Sequence, residues 1–91
     1  MNIELTLQKI SNILKSEGCS DIFLFGSYAL GKADDKSDID IGVKGLLPSR
    51  FYSVYARLES EIDQKIDFVD FDEQKKFFNF LNSIGELRKI G

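Results

Sequence analysis

The chain has 91 residues, enough for one domain (1–91) and near the size at which a single core just suffices for independent folding. A formal charge of −3 argues against a surface that grips extended nucleic acid, because such binding draws on clustered Lys and Arg. With no His and only Cys19 among the thiols, an internal disulfide is excluded, and zinc and thiol–imidazole chemistry have no ligands.

The chain does not open on a basic segment followed by an apolar stretch. No apolar run approaches the ~20 residues that span a bilayer, so the expectation is a soluble cytoplasmic protein with no membrane partner. Ile3, Leu7, Ile10, Ile13 and Leu14 recur at helical spacing and predict an amphipathic helix over about residues 2–16, stopped by Gly18. Cys19, just beyond it, reads as a small semi-buried residue, since no His is present to activate it.

Asp21 to Phe25 is a short apolar run bounded by turn residues, which suits a buried strand. Gly26 ends it, Ser27 is placed to cap the next helical residues, and Tyr28 to Leu30 make one helical turn broken by Gly31. Lys32 to Lys36, with Asp34 and Asp35, reads as a solvated loop. From Ser37 to Val43 the pattern alternates: Ile39, Ile41 and Val43 face the core, and Asp38, Asp40 and Gly42 face the other way.

Pro48 sits where a second long helix can begin, and Phe51, Val54, Tyr55, Leu58 and Ile62 form its apolar face. Arg57, Glu59 and Glu61 make the solvated face. Residues 65–71 form a third strand with Asp67 on one side and Asp70 on the other; Asp72 then reads as the N-cap of a last helix. Phe77, Phe80, Leu81, Ile84 and Leu87 carry that helix nearly to Gly91, with Phe78 off the stripe. The expected fold is α/β (α+β): a small three-stranded mixed sheet packed with about four helices, covered mainly on one face.

Two features bear chemistry. Glycine after a strand lets another group approach the backbone, and a serine at a helical start sets a hydroxyl beside free N–H groups, where phosphate oxygens are held favourably. Such a turn is also common as plain structure. Asp38 and Asp40 stand on one face of their strand, roughly 6 to 7 Å apart. Like charges so placed discourage each other's ionisation unless solvent or a cation compensates, and hard oxygen ligands suit Mg²⁺ or Mn²⁺. A solvated edge strand explains the pair equally well. Strand parity alone does not decide whether Asp67 or Asp70 meets them.

Taken together, Gly26-Ser27, ten residues and then Asp38-x-Asp40, in FGSYALGKADDKSDIDIGV (25–43), resemble the signature of the nucleotidyltransferase superfamily related to DNA polymerase beta. The resemblance is specifically to its minimal nucleotidyltransferase (MNT) branch, and helix-first order and short length are similar too. It implies that Gly26 and Ser27 bind the nucleotide triphosphate and that Asp38 and Asp40 bind divalent metal. It also implies that Asp67 completes a catalytic and metal-binding triad. Two Mg²⁺ ions, or Mn²⁺, would be the cofactors. Leu30 stands where family members often carry Arg, so one cationic contact is missing, and Lys32, Lys36 or Lys44 are the substitutes at hand.

Small MNT proteins resemble the antitoxin half of HEPN/MNT toxin–antitoxin pairs. The implied function is transfer of AMP from ATP, or of another nucleotide, to a tyrosine of a partner HEPN ribonuclease toxin. The alternatives are an MNT-fold antitoxin that neutralises by binding alone, and a nucleotidyltransferase acting on a small molecule such as an aminoglycoside. Self-association into a homo-oligomer is compatible with each.

Overall fold

The computed structural model describes residues 2–91. Its elements run α1 (Ile3–Ser16), β1 (Asp21–Phe25), α2 (Gly26–Ala29), β2 (Ile39–Lys44), a 3-10 turn (Pro48–Arg50) leading into α3 (Phe51–Glu61), β3 (Ile66–Asp70), α4 (Lys75–Ser83) and β4 (Arg88–Lys89). Asn2 starts α1 by accepting hydrogen bonds at Oδ1 from the N–H groups of Glu4 and Leu5, at 3.1 and 3.3 Å. Among the described residues no helix is long and apolar enough to cross a membrane.

The sheet has four strands in the order β3-β2-β1-β4, not the three expected. β1 pairs antiparallel with both β2 and β4, and β2 pairs parallel with β3. The extra strand arises because α4 stops at Ser83 instead of continuing through Leu87. Gly85 adopts a φ of +70°, and the N–H of Glu86 donates back to Leu81 C=O at 3.0 Å, closing the helix in a Schellman-type turn. The chain so released lies extended against β1, where Ile90 N–H donates to Ile22 C=O at 2.8 Å.

Alternation along the strands divides the sheet into two faces. Ile22, Leu24, Ile39, Ile41, Val43, Ile66 and Phe68 form the larger core with α1 and α3. Arg50 of the 3-10 turn and Arg57 of α3 both pair with Glu17, just past the end of α1, at 2.5 and 3.3 Å, so this segment is tied to α1 by its polar side as well. The opposite face carries a second cluster built on Phe25, Phe71 and Leu81, with Phe23, Val69 and Phe78 packed against it. Here Phe23, Phe25, Phe71, Phe77 and Phe78 pack in tilted and edge-to-face pairs with ring centroids 5.2 to 6.2 Å apart.

The apolar stripe expected on α4 is therefore rotated. Phe78 packs inward on Phe23 and Phe71, while Phe80 and Ile84 are 57% and 52% exposed. Asp72 does not cap α4; its Oδ2 accepts from Gly45 N–H at 2.8 Å and ties two loops together. Asp70 is a strand-end residue but not a surface one. It is buried, and its Oδ1 accepts from the N–H groups of Asp72 and Glu73, at 2.9 and 3.4 Å.

Gly42 lies directly beneath the Phe71 ring, where a Cβ would collide with the ring carbons. Gly42→Ala should therefore destabilise the fold by about 1 to 3 kcal/mol, as overpacking does. Urea unfolding would measure the loss, and adding Phe71→Leu should recover part of it by making room.

Candidate active site

The C-terminal end of β1 and the N-terminal ends of β2 and β3 meet at one end of the sheet. Pairing there sets Phe25 opposite Asp40 and Asp40 opposite Asp67. Residues in register on parallel strands share a face, so Asp40 and Asp67 stand side by side on the face that carries the phenylalanine cluster. Asp70, three residues on, has the opposite parity and is held in the turn described above. The register thus makes the choice that strand parity alone left open.

The Asp40 carboxyl is half-buried, and its pKa is pushed up from 3.8 to about 6. Desolvation is the largest cause. The charge of Asp67, its carboxyl within hydrogen-bonding reach, and then the charges of Asp38 and Glu86 add to it. Asp38 precedes β2 and is further out: its Oδ2 lies 3.7 Å from Lys65 Nζ. Among the described residues no group of three or more carboxylates is already drawn around one point. The sheet therefore brings Asp40 and Asp67 together and leaves Asp38 at the rim, paired with a lysine.

Two neighbours of the pair escape a reading of the sequence. Lys65 faces Asp38 because it precedes Ile66, the register partner of Ile39. Glu86 reaches Asp40 because α4 ends early; read as helix, it is only one more surface carboxylate. Gly85 is the signal that places it.

Gly26 begins α2 at a φ of +69°, and a Cβ there would run into the Asp40 Oδ2 oxygen. Only glycine lets the backbone turn this close to the carboxylate. The first N–H groups of α2 have no partner within the helix. Ser27 lies in this first turn but its side chain makes no capping hydrogen bond, contrary to the expected cap. Tyr28 packs on the main core and also lines a groove of about 380 Å³ with Lys36, Ser37, Asp38 and Lys65. Lys44, in contrast, lies at the far end of β2 with its Nζ 3.7 Å above the Phe78 ring, which removes it as a replacement for the arginine missing at Leu30.

The remaining polar candidates are structural. Asp34 and Ser37 exchange hydrogen bonds within the loop, Asp34 N–H donating to Ser37 Oγ at 2.9 Å and Ser37 Oγ to Asp34 Oδ1 at 3.3 Å. Cys19 is buried, and burial pushes its thiol up to about 11, so it stays protonated.

Asp40 and Asp67 suit a hard divalent cation: they offer oxygen donors, and among the described residues no Lys or Arg forms an ion pair with either. A carboxyl whose folded pKa lies above its unfolded value holds its proton more tightly when folded. Stability should therefore fall as pH rises from about 4 to about 6 and remain lower above that. Without metal, Asp40→Asn should raise the thermal midpoint at neutral pH, and the advantage should vanish on acidification below about 4. Melting scans across that range would check both.

A family model described as polymerase beta, nucleotidyltransferase matches residues 8–85. No curated protein matches the chain. Among solved structures, a toxin–antitoxin crystal structure with AMP-PNP superposes with a TM-score of 0.75 at 26% identity, covering 91% of this chain and 70% of that one. An MntA–HpeT toxin–antitoxin carrying two Asp-to-Glu changes gives a TM-score of 0.61 at 30% identity, covering 72% of this chain and 57% of that one. A tri-AMPylated Shewanella oneidensis HEPN toxin in complex with MNT antitoxin gives 0.58 at 30% identity, covering 76% and 56%. The chain thus spans 56% to 70% of the length of these relatives. The match runs from within α1 to just past α4 and takes in every strand that carries the carboxylate pair: the chain belongs to the polymerase beta nucleotidyltransferase family.

Proposed function

We propose that the chain is a divalent-metal-dependent nucleotidyltransferase that transfers AMP from ATP to a tyrosine of a partner HEPN toxin and so acts as an antitoxin. The observation that carries this reading is the Asp40–Asp67 pair, in register and without an ion-pair partner among the described residues, beside a glycine turn that only an unsubstituted backbone can make. The family match supports nucleotidyl transfer. The solved relatives support the partner and the nucleotide, since they include a toxin–antitoxin with AMP-PNP and an AMPylated HEPN toxin with its MNT antitoxin.

In this reading Asp38, Asp40 and Asp67 hold Mg²⁺, or Mn²⁺, as two ions. When bound, the metal neutralises the triphosphate and the developing charge on pyrophosphate. The Gly26–Ser27 turn positions the phosphates with its N–H groups and the Ser27 hydroxyl. Asp67 takes the proton from the acceptor hydroxyl. The hydroxyl oxygen then bonds to the α-phosphorus as the bond to the β-phosphate oxygen breaks and pyrophosphate leaves. Phosphoryl transfer asks mainly for positioning and charge stabilisation, so this set is sufficient without histidine. Lys36 and Lys65, which line the groove beside Asp38, supply positive charge that Leu30 does not.

A second reading, neutralisation by binding alone, is favoured by one feature. Leu30 is 48% exposed beside the phosphate turn where the family often has a cation. The two readings separate with labelled ATP, Mg²⁺ and a HEPN-family toxin as acceptor. Wild type should label the partner, and Asp40→Asn or Asp67→Asn should cut the rate by about 100-fold or more. Mg²⁺ followed by ATP should raise the wild-type melting midpoint stepwise, with the Mg²⁺ step lost in Asp40→Asn. Full neutralisation of the toxin in cells by both variants would select binding alone.

A further inference from the structure

The outer edge of β3 is an open strand edge. Ile39 N–H donates to Lys65 C=O and Phe71 N–H to Val43 C=O, each at 2.9 Å. This phase turns the backbones of Asp67 and Val69 toward β2 and those of Ile66, Phe68 and Asp70 outward. Tyr55 Oη donates to Ile66 C=O at 2.8 Å, and Gln74 N–H donates to Asp70 C=O at 2.9 Å. Among the described residues, no hydrogen bond takes the N–H or C=O of Phe68 or the N–H of Asp70. These groups floor a groove of about 430 Å³, with Pro48 and Tyr52 on one wall and Gln74 and Phe77 on the other. Its charged lining is Asp70 and Glu73, with no Lys or Arg.

We propose that this edge binds an extended segment of the partner polypeptide as an added strand, setting the segment's hydroxyl side chain beside Asp67. The inference rests on the reading that the acceptor is a protein. Unpaired backbone donors and acceptors between walls that carry Pro48, Tyr52 and Phe77 fit a peptide backbone, as in β-strand addition. A strand added there lies about 4.8 Å from β3, and its alternate side chains stand on the same face as Asp67. The row Phe25, Asp40, Asp67 would thereby gain a fourth member from the partner, next to the carboxylate that takes the proton. The acidic lining and the chain's charge of −3 favour a segment with basic flanks over a second copy of this chain.

Amide hydrogen exchange on the isotope-labelled chain, alone and saturated with a HEPN-family toxin, tests this. Exchange of the Phe68 and Asp70 N–H groups should slow by about tenfold or more on complex formation. Tyr52→Glu, at a position 82% exposed and so harmless to the fold, should raise KM for the protein acceptor about tenfold while ATP and Mg²⁺ stabilise it as in wild type. Unchanged exchange in the complex, failure to form a complex, or equal slowing in the chain alone as its concentration rises would each overturn the proposal. Slowed exchange without labelling would uphold strand docking and overturn the transfer chemistry. Labelling without slowed exchange would do the reverse.

Discussion

The structure turns on one row of residues across the end of its sheet, where β2 sets Asp40 between Phe25 of β1 and Asp67 of β3. Burial desolvates the Asp40 carboxyl, and the like charge of Asp67 opposes its ionisation. The fold holds the two carboxyls together against that cost. The pair sits beside a backbone turn that excludes any Cβ, an arrangement that the proposed binding of a charged ligand would use.

The rest of the fold holds that row in place. The larger core anchors β2 and β3 to α1 and α3 from one face. From the other, α4 and the phenylalanine cluster cover the far half of the sheet. Gly42 admits the Phe71 ring against the sheet one step along β2 from Asp40, so apolar packing runs up to the carboxylates and lowers the local dielectric. Early termination of α4 then sends the chain back along β1 and brings Glu86 toward the same spot, adding to the negative potential.

Much of this was legible from residues alone, where local patterning and tertiary packing agree. Period-two alternation in 37–43 separated Ile39, Ile41 and Val43 from Asp40, and helical spacing located α1 and α3. What could not be read depended on register or on a competing local signal. Asp67 and Asp70 are equivalent by parity until β3 is laid parallel to β2, and only the resemblance to the nucleotidyltransferase signature distinguished them. Apolar spacing carried α4 through Ile84 and Leu87, but the Gly85 turn stopped it, and with that turn unread the fourth strand and the position of Glu86 were missed. Asp72 has the sequence context of a cap yet is used to tie a distant loop, a tertiary contact that local propensity does not contain.

The expected convergence of Asp38, Asp40 and Asp67 is met by the latter two, while Asp38 turns to Lys65 at the rim. The structure thus presents a carboxylate pair with Asp38 apart from it, and the proposed chemistry depends on the charge of that pair. The most direct measurement is a carboxyl-carbon NMR titration of Asp40 in the metal-free chain, repeated with Mg²⁺. A midpoint near about 6 that falls when Mg²⁺ is added is the expected result. An ordinary midpoint, or one indifferent to Mg²⁺, would contradict it.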